Sequence, residues 1–228
     1  MTLVFLPGMM CDARLFQPQL DTFPDRVVVT STGRTSITDM AQDVLDASPD
    51  EFDLLGLSMG GIIAMEVVRL APKRVRKIAL LDTNHRAERE EVRQARLPQI
   101  EAAQSGQMMD VMCEVMVPRY LANGGSNNDT LTDLCLEMAT DLGAAAFVNQ
   151  SYALMDRPDQ TETLRNLNCP ALVLCGIEDR LCPVLTHETM AELIPQATLE
   201  IVKDAAHLPT LEQPSHTNAA IARWLEDS

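Results

Sequence analysis

Basic residues are scarce in this chain of 228 residues: 18 Lys and Arg stand against 33 Asp and Glu, for a formal net charge of −15. A surface of that sign repels phosphate, which excludes nucleic acid as a partner and disfavours anionic membrane surfaces. Long apolar runs are also missing. The charge-free stretch over residues 54–65 is too short to span a bilayer. The opening "MTLVFLPGMM" has no basic n-region and no cleavage-site pattern, so no secretory signal is expected. These absences predict a soluble, cytoplasmic protein with no membrane partner. The cysteines (Cys11, Cys113, Cys135, Cys169, Cys175, Cys182) include no C-x-x-C pair. Metal-ligand or redox use wants closer spacing, so most of them are expected to be small buried apolar residues in a reducing compartment. Aromatic residues make up only 4% of the chain, and no repeat or low-complexity tract occurs.

Hydrophobic residues are nonetheless plentiful at 46%, enough for a sizeable core in one domain or a domain with an insertion. Six short apolar runs recur: "TLVFL" (2–6), "VVVTS" (27–31), "DLLGL" (53–57), "IALLD" (78–82), "ALVLC" (171–175) and "TLEIV" (198–202). They are nearly continuous rather than alternating, as strands buried on both faces are. Helical patterns lie between them. "SITDMAQDVLDAS" starts with a cap-like Ser36, "MGGIIAMEVVRLAP" ends at Pro72, and "THETMAELIP" and "AAIARWLED" follow later. The alternation predicts an α/β fold: a mostly parallel sheet of about six strands covered by helices on both faces.

The rhythm breaks after Asp82. Residues 86–158 show helical patterns only, with an interruption expected at Pro98. This predicts a core of residues 1–85 and 159–228, with 86–158 as a helical cap (lid) inserted after the strand ending at Asp82. Ligands bind outside the carboxyl ends of such strands, so the cap is expected to roof the site. It is rich in methionine (Met108, Met109, Met112, Met116, Met138, Met155). Most of these read as core filler, with one or two lining a pocket.

The stretch "DLLGLSMGGIIAM" (53–65) sets three glycines around one serine, between a strand and a helix. A nucleophile placed there must project its oxygen from a sharp turn with φ > 0. Side chains two positions before and after it would collide, and Gly56 and Gly60 remove both. Gly61 lets the helix pass close to a neighbouring strand. This is the G-x-S-x-G nucleophile elbow, with Ser58 as nucleophile and the Met59 N–H as an oxyanion donor.

The partners should follow downstream. His207, in the loop after "TLEIV", is the expected base. His187 and His216 sit at helix starts, where exposed or capping roles are expected. Three carboxylates compete as the acid. Asp179, after "ALVLC", ranks first, and Asp82, ending "IALLD", ranks second. Asp204 ranks third, being only three residues from His207, and Glu178 is expected to point elsewhere. A second oxyanion donor is expected in "FLPGMM": the Met9 N–H, with Met10 as runner-up.

"LPGMMCDARLF", "GLSMGG", "LLDTN", "GIEDRLCP" and "AAHLPTLEQP" occur in an order that resembles the α/β-hydrolase fold, in particular small bacterial serine hydrolases with a helical cap. The resemblance implies Ser58, Asp179 and His207 as a triad, the Met9 and Met59 amides as oxyanion hole, and the helices after His85 as lid. One departure is Pro7-Gly8, where the family commonly has His-Gly.

The expected activity is hydrolysis of a carboxylic ester through an acyl-enzyme, with no cofactor and no metal. An apolar, Met-lined roof points to a small to medium, partly apolar substrate. The same triad could instead serve a C–C bond hydrolase or lyase, a perhydrolase, or a slowly turning-over ligand sensor. His85, which begins the insertion, is a possible substrate contact or a plain surface histidine. Arg86, Arg89, Arg93 and Arg96 fall at helical spacing, and with Glu88, Glu90 and Glu91 interleaved they read as a solvated face with local ion pairs. The related carrier-protein methyl-ester esterases have a basic cap surface of this sort. A monomer or homodimer acting on a small-molecule ester is expected.

Overall fold

The six apolar runs form six strands in a computed structural model that describes residues 1–226. In chain order, β1 (Leu3–Leu6) leads through a 3-10 turn (Ala13–Phe16) and α1 (Gln17–Thr22) to β2 (Arg26–Val28). Then come α2 (Ile37–Ala47), β3 (Phe52–Leu57), α3 (Met59–Leu70) and β4 (Val75–Leu81). An all-helical stretch contains α4 (Glu90–Gln104), α5 (Met108–Val111) and α6 (Asn128–Met155), and α7 (Thr161–Arg165) follows it. The chain closes with β5 (Ala171–Gly176), α8 (Val184–Leu193), β6 (Ala197–Val202), α9 (Pro209–Glu212) and α10 (Pro214–Glu226). The expected last helix extends one residue further, to Asp227, which lies outside the described residues.

All strands pair in parallel, in the order β2-β1-β3-β4-β5-β6. Helices α2, α3, α7 and α8 form one packed row, and α1, α9 and α10 form a second row against the other face. The inner strands β1, β3 and β5 are buried along their whole length, while the edge strands β2 and β6 are partly exposed. That difference explains the near-continuous apolar runs of the interior strands. The strand order reverses between β1 and β3, so the crevice outside their carboxyl ends is the natural place for a ligand.

One expectation changes in the inserted stretch. Pro98 does not interrupt α4, which continues through it. Proline removes one backbone donor, and on this largely exposed helix water can satisfy the carbonyl left over. The sequence splits 130–142 from 144–155, and α6 keeps that division as a break in geometry: Gly143 adopts φ 78°, ψ 170° within it. Residues 112–116 form a widened π turn, which brings the chain to Tyr120. Of the methionines in the insertion, Met108, Met112 and Met138 are buried in the common core.

The tightest backbone contact is where α3 starts. A Cβ on Gly60 would lie 1.9 Å from the Leu6 carbonyl oxygen, and one on Gly56 would lie 2.2 Å from the Gly60 oxygen. No side chain fits, and the obstructing atoms are backbone. Gly60→Ala is therefore expected to destabilise the fold by about 3 kcal/mol or more, which a urea unfolding midpoint measures. A midpoint equal to the parent's would show that β1 and α3 can separate at no cost.

Candidate active site

Ser58 caps the N-terminus of α3 with φ 55° and ψ −116°. That backbone region costs about 1–3 kcal/mol for a residue with a Cβ. The glycine contacts just described hold it there, and so do two hydrogen bonds: Ser58 N–H donates to the Leu81 carbonyl at 2.9 Å, and Thr83 Oγ1 donates to the Ser58 carbonyl at 2.6 Å. Gly61 is small because Thr83 sits against it, where a Cβ would be 2.6 Å away. Sequence reasoning missed Thr83, although it lies in the singled-out "LLDTN".

The hydroxyl meets the loop after β6. His207 Nε2 lies 2.9 Å from Ser58 Oγ, and His207 Nδ1 lies 2.8 Å from Asp179 Oδ2. The other carboxylate oxygen of Asp179 accepts from the Leu181 and Cys182 amides at 2.8 and 3.0 Å. Burial pushes the Asp179 carboxyl up, but His207 and these amides outweigh it and hold the group below its ordinary value. Burial first, and then the Asp179 charge, pushes the Asp82 carboxyl well up. Asp82 accepts one bond, from Gly176 N–H at 2.9 Å, and its second oxygen is buried without a partner. Asp82 thus lies behind Asp179 and does not contact the imidazole. Glu178 turns outward and accepts from Asn123 N–H at 3.2 Å.

Among the described residues, the structure records no protein acceptor for the Met9 or Met59 N–H. Met9 and Met59 line the same cavity as Ser58. The Met10 N–H is occupied, donating to Gln150 Oε1 at 2.9 Å. Gln150 belongs to α6, so the inserted helices brace the β1 loop.

Two histidines depart from expectation. His187 is fully buried rather than exposed or capping, and its Nε2 accepts from Thr83 N–H at 3.0 Å. Since α8 lies against the sheet, its inner side chains reach the loop after β4. His85 is also buried and is not among the cavity-lining residues, so a substrate contact there has no support. Its carbonyl accepts from Gln160 N–H at 2.7 Å. His216 is exposed and pairs with Glu200 at 2.6 Å, as its place in a helix start predicts.

The cavity over Ser58 measures about 430 Å³. Apolar lining comes from Met9, Ile62, Met116, Leu154 and Leu208. The arginine stripe divides. Arg93 pairs outward with Asp156 at 2.7 Å, whereas Arg86, Arg89 and Arg96 line the cavity together with Arg119, Arg157 and Arg180. Glu88 binds both Arg96 (2.9 Å) and Arg157 (3.0 Å), leaving one net positive charge in that buried trio. Among the described residues, Arg86, Arg89, Arg119 and Arg180 have no carboxylate partner. Metal-ligand chemistry occurs only where Asp179, Cys182 and His207 meet, among the described residues. There Asp179 is already committed to three donors, and burial pushes the Cys182 thiol well up, so the set is a hydrogen-bonded one.

Residues 3–221 match the model of the alpha/beta hydrolase family. The chain belongs to that family. It is 30% identical over 196 residues to the pimeloyl-[acyl-carrier protein] methyl ester esterase of Chromobacterium violaceum, covering 82% of this chain and 76% of that one. An esterase of the same name from Salmonella newport is 26% identical over 188 residues, covering 80% and 73%. Among solved alpha/beta hydrolases, a thermophilic esterase from Thermogutta terrifontis superposes with a TM-score of 0.91 at 26% identity, covering 99% and 89%. The enol-lactonase of Burkholderia xenovorans LB400 shares the fold, with a TM-score of 0.87 at 19% identity, covering 99% and 91%. The protein is thus an enzyme of the alpha/beta hydrolase type, and relatives it matches are ester hydrolases. No helix among its described residues is long and apolar enough to cross a membrane.

Burial lowers His187 to about 4, against 6.5 for an exposed imidazole. The native state therefore binds fewer protons than the unfolded chain between those values, and stability falls as pH drops from about 6.5 to about 4. The loss amounts to about 3 kcal/mol. His187→Gln, which keeps an acceptor for Thr83 N–H, is expected to flatten this acid limb in urea titrations at several pH values. An unchanged slope would mean that His187 titrates freely.

Proposed function

We propose that the protein hydrolyses a carboxylic ester through an acyl-enzyme on Ser58. The observation that carries the reading is the unbroken hydrogen-bond line from Asp179 through His207 to Ser58 Oγ. His207 takes the serine proton as Oγ attacks the carbonyl carbon. Asp179, held ionised, fixes the tautomer with Nδ1 protonated and steadies the imidazolium. The Met9 and Met59 amides receive the oxyanion, and the positive end of α3 adds to them. His207 returns its proton to the leaving alkoxide. Water, deprotonated by the same nitrogen, then releases the acid.

Residues 86–158 act as a lid over this site, and the core comprises 1–85 and 159–228. A cavity of about 430 Å³ admits a small to medium acyl group against its apolar wall. The cationic mouth favours an ester whose far end is anionic, such as a dicarboxylate half-ester or an acidic carrier bearing the acyl chain. The carrier-linked methyl esters named for the relatives belong to the second kind. Four buried, unpaired thiols fit work in a reducing cytoplasm.

Ser58→Ala is expected to lower turnover of p-nitrophenyl esters by about 10⁴-fold or more, and a fluorophosphonate should label Ser58 in the parent. Retained turnover in the alanine variant would remove Ser58 from the mechanism. Asp82→Asn, which mimics a protonated acid, should stay within about threefold of parental kcat, while Asp179→Asn should lose about 10⁴-fold. For the mouth, methyl half-esters of dicarboxylic acids should exceed neutral methyl esters of equal length in kcat/KM. Arg119→Gln and Arg180→Gln should shrink that advantage through KM. Equal kcat/KM for both ester types would discard the anion preference.

A further inference from the structure

The loop that carries His207 is held from both sides by one side chain outside the reacting groups. Glu212, at the end of α9, places Oε2 3.0 Å from the Ala206 N–H and 3.1 Å from the Leu208 N–H, the two amides flanking His207. Its Oε1 accepts from Ala122 N–H at 2.6 Å, and Ala122 belongs to the inserted stretch. That stretch also touches the histidine directly. The Tyr120 carbonyl accepts from His207 N–H at 3.0 Å, and the Tyr120 ring stacks on the imidazole with centroids 5.8 Å apart. Further along, Asn123 N–H donates to Glu178, next to Asp179, and Asn128 Nδ2 donates to the Ala122 carbonyl at 2.7 Å.

We propose that Glu212 is a positioning residue that locks the strap of residues 120–123 to the backbone around His207, so that the imidazole lines up with Ser58 only while the strap is docked. The inference rests on the reading of His207 as the general base. The chemistry of the side chain is specific. All three partners are N–H donors, and a carboxylate offers acceptors alone. Glutamine has one oxygen and one NH₂, so either orientation turns a donor toward at least one donor. The bonds lost on one side free the strap, and those lost on the other free the His207 loop. Misplacing a proton-transfer group by about 1 Å can cost a factor of about 10² in rate.

The test uses the full-length protein with p-nitrophenyl acetate and a fluorophosphonate. Glu212→Gln should stay folded, with kcat down about 10- to 100-fold and KM within about threefold, and with labelling of Ser58 slowed by the same factor. Tyr120→Leu should show a loss of the same kind, and Tyr120→Phe, which keeps the ring, a clearly smaller one. Because both side chains act through one imidazole, the double variant Glu212→Gln/Tyr120→Leu should fall well short of the product of the single effects. A folded Glu212→Gln with parental kcat and labelling overturns the proposal, as does full multiplicativity. Should that variant not fold, the tyrosine pair decides: equal kcat in Tyr120→Leu and Tyr120→Phe, whether parental or reduced, overturns it. Turnover in Ser58→Ala would instead sink the reading of the site itself. An inert Ser58→Ala beside a parental Glu212→Gln sinks only this inference.

Discussion

The close approach of the start of α3 to the end of β1 is the constraint on which the rest depends. Backbone sits where a Cβ at Gly60 or Gly56 would have to be. Only that approach puts Ser58 at φ 55°, at the strand-order reversal, with the first amide of a helix beside it. The strain has company. Met10, Ser58, Asp82 and Asp204, the non-glycine residues with positive φ among the described residues, follow β1, β3, β4 and β6 in turn. Unfavourable backbone is thus gathered at one edge of the sheet, and the continuous core beneath offsets it. Such outliers persist only where their surroundings over-determine them.

Two aspartates behind the imidazole show how environment separates like groups. Asp179 receives two amides and His207, so it stays ionised despite burial. Asp82 receives one amide and leaves an oxygen orphaned, and burial with the Asp179 charge pushes its carboxyl well up. A second carboxylate there would repel the first and weaken its hold on His207. The neutral His187, tied to Thr83 N–H, adds no positive charge to this layer, and Thr83 in turn bonds the Ser58 carbonyl.

The parallel sheet was legible because burial on both faces leaves continuous apolar runs, and this signal needs no knowledge of the third dimension. Ser58, Asp179 and His207 could be named because each follows its strand directly, and parallel strands deliver all such loops to the same edge. Legibility ended where a residue's role depends on the partner across a packed interface. His187 looks like any histidine in a first helical turn until α8 is laid on the sheet. Nothing in the sequence around Glu212 reveals that three amides converge on it. The arginine stripe misled in the same way. Helical spacing put Arg86, Arg89 and Arg96 on one solvated helix face, but α4 starts only at Glu90, and Arg86 and Arg89 reach the cavity from the segment before it.

A net charge of −15 describes the chain as a whole. A substrate entering a cleft samples only its walls. Arg86, Arg89, Arg119 and Arg180 line the cavity over Ser58 without carboxylate partners among the described residues, and the Glu88 trio adds a further positive charge. Low-dielectric walls concentrate that local field, and the acidic exterior makes the mouth more distinct from its surroundings. The sign of the whole chain and the sign of its site are separate quantities. Here they are opposite: the chain is net acidic, while the cavity above the serine is lined by six arginines against Glu88 and Glu91.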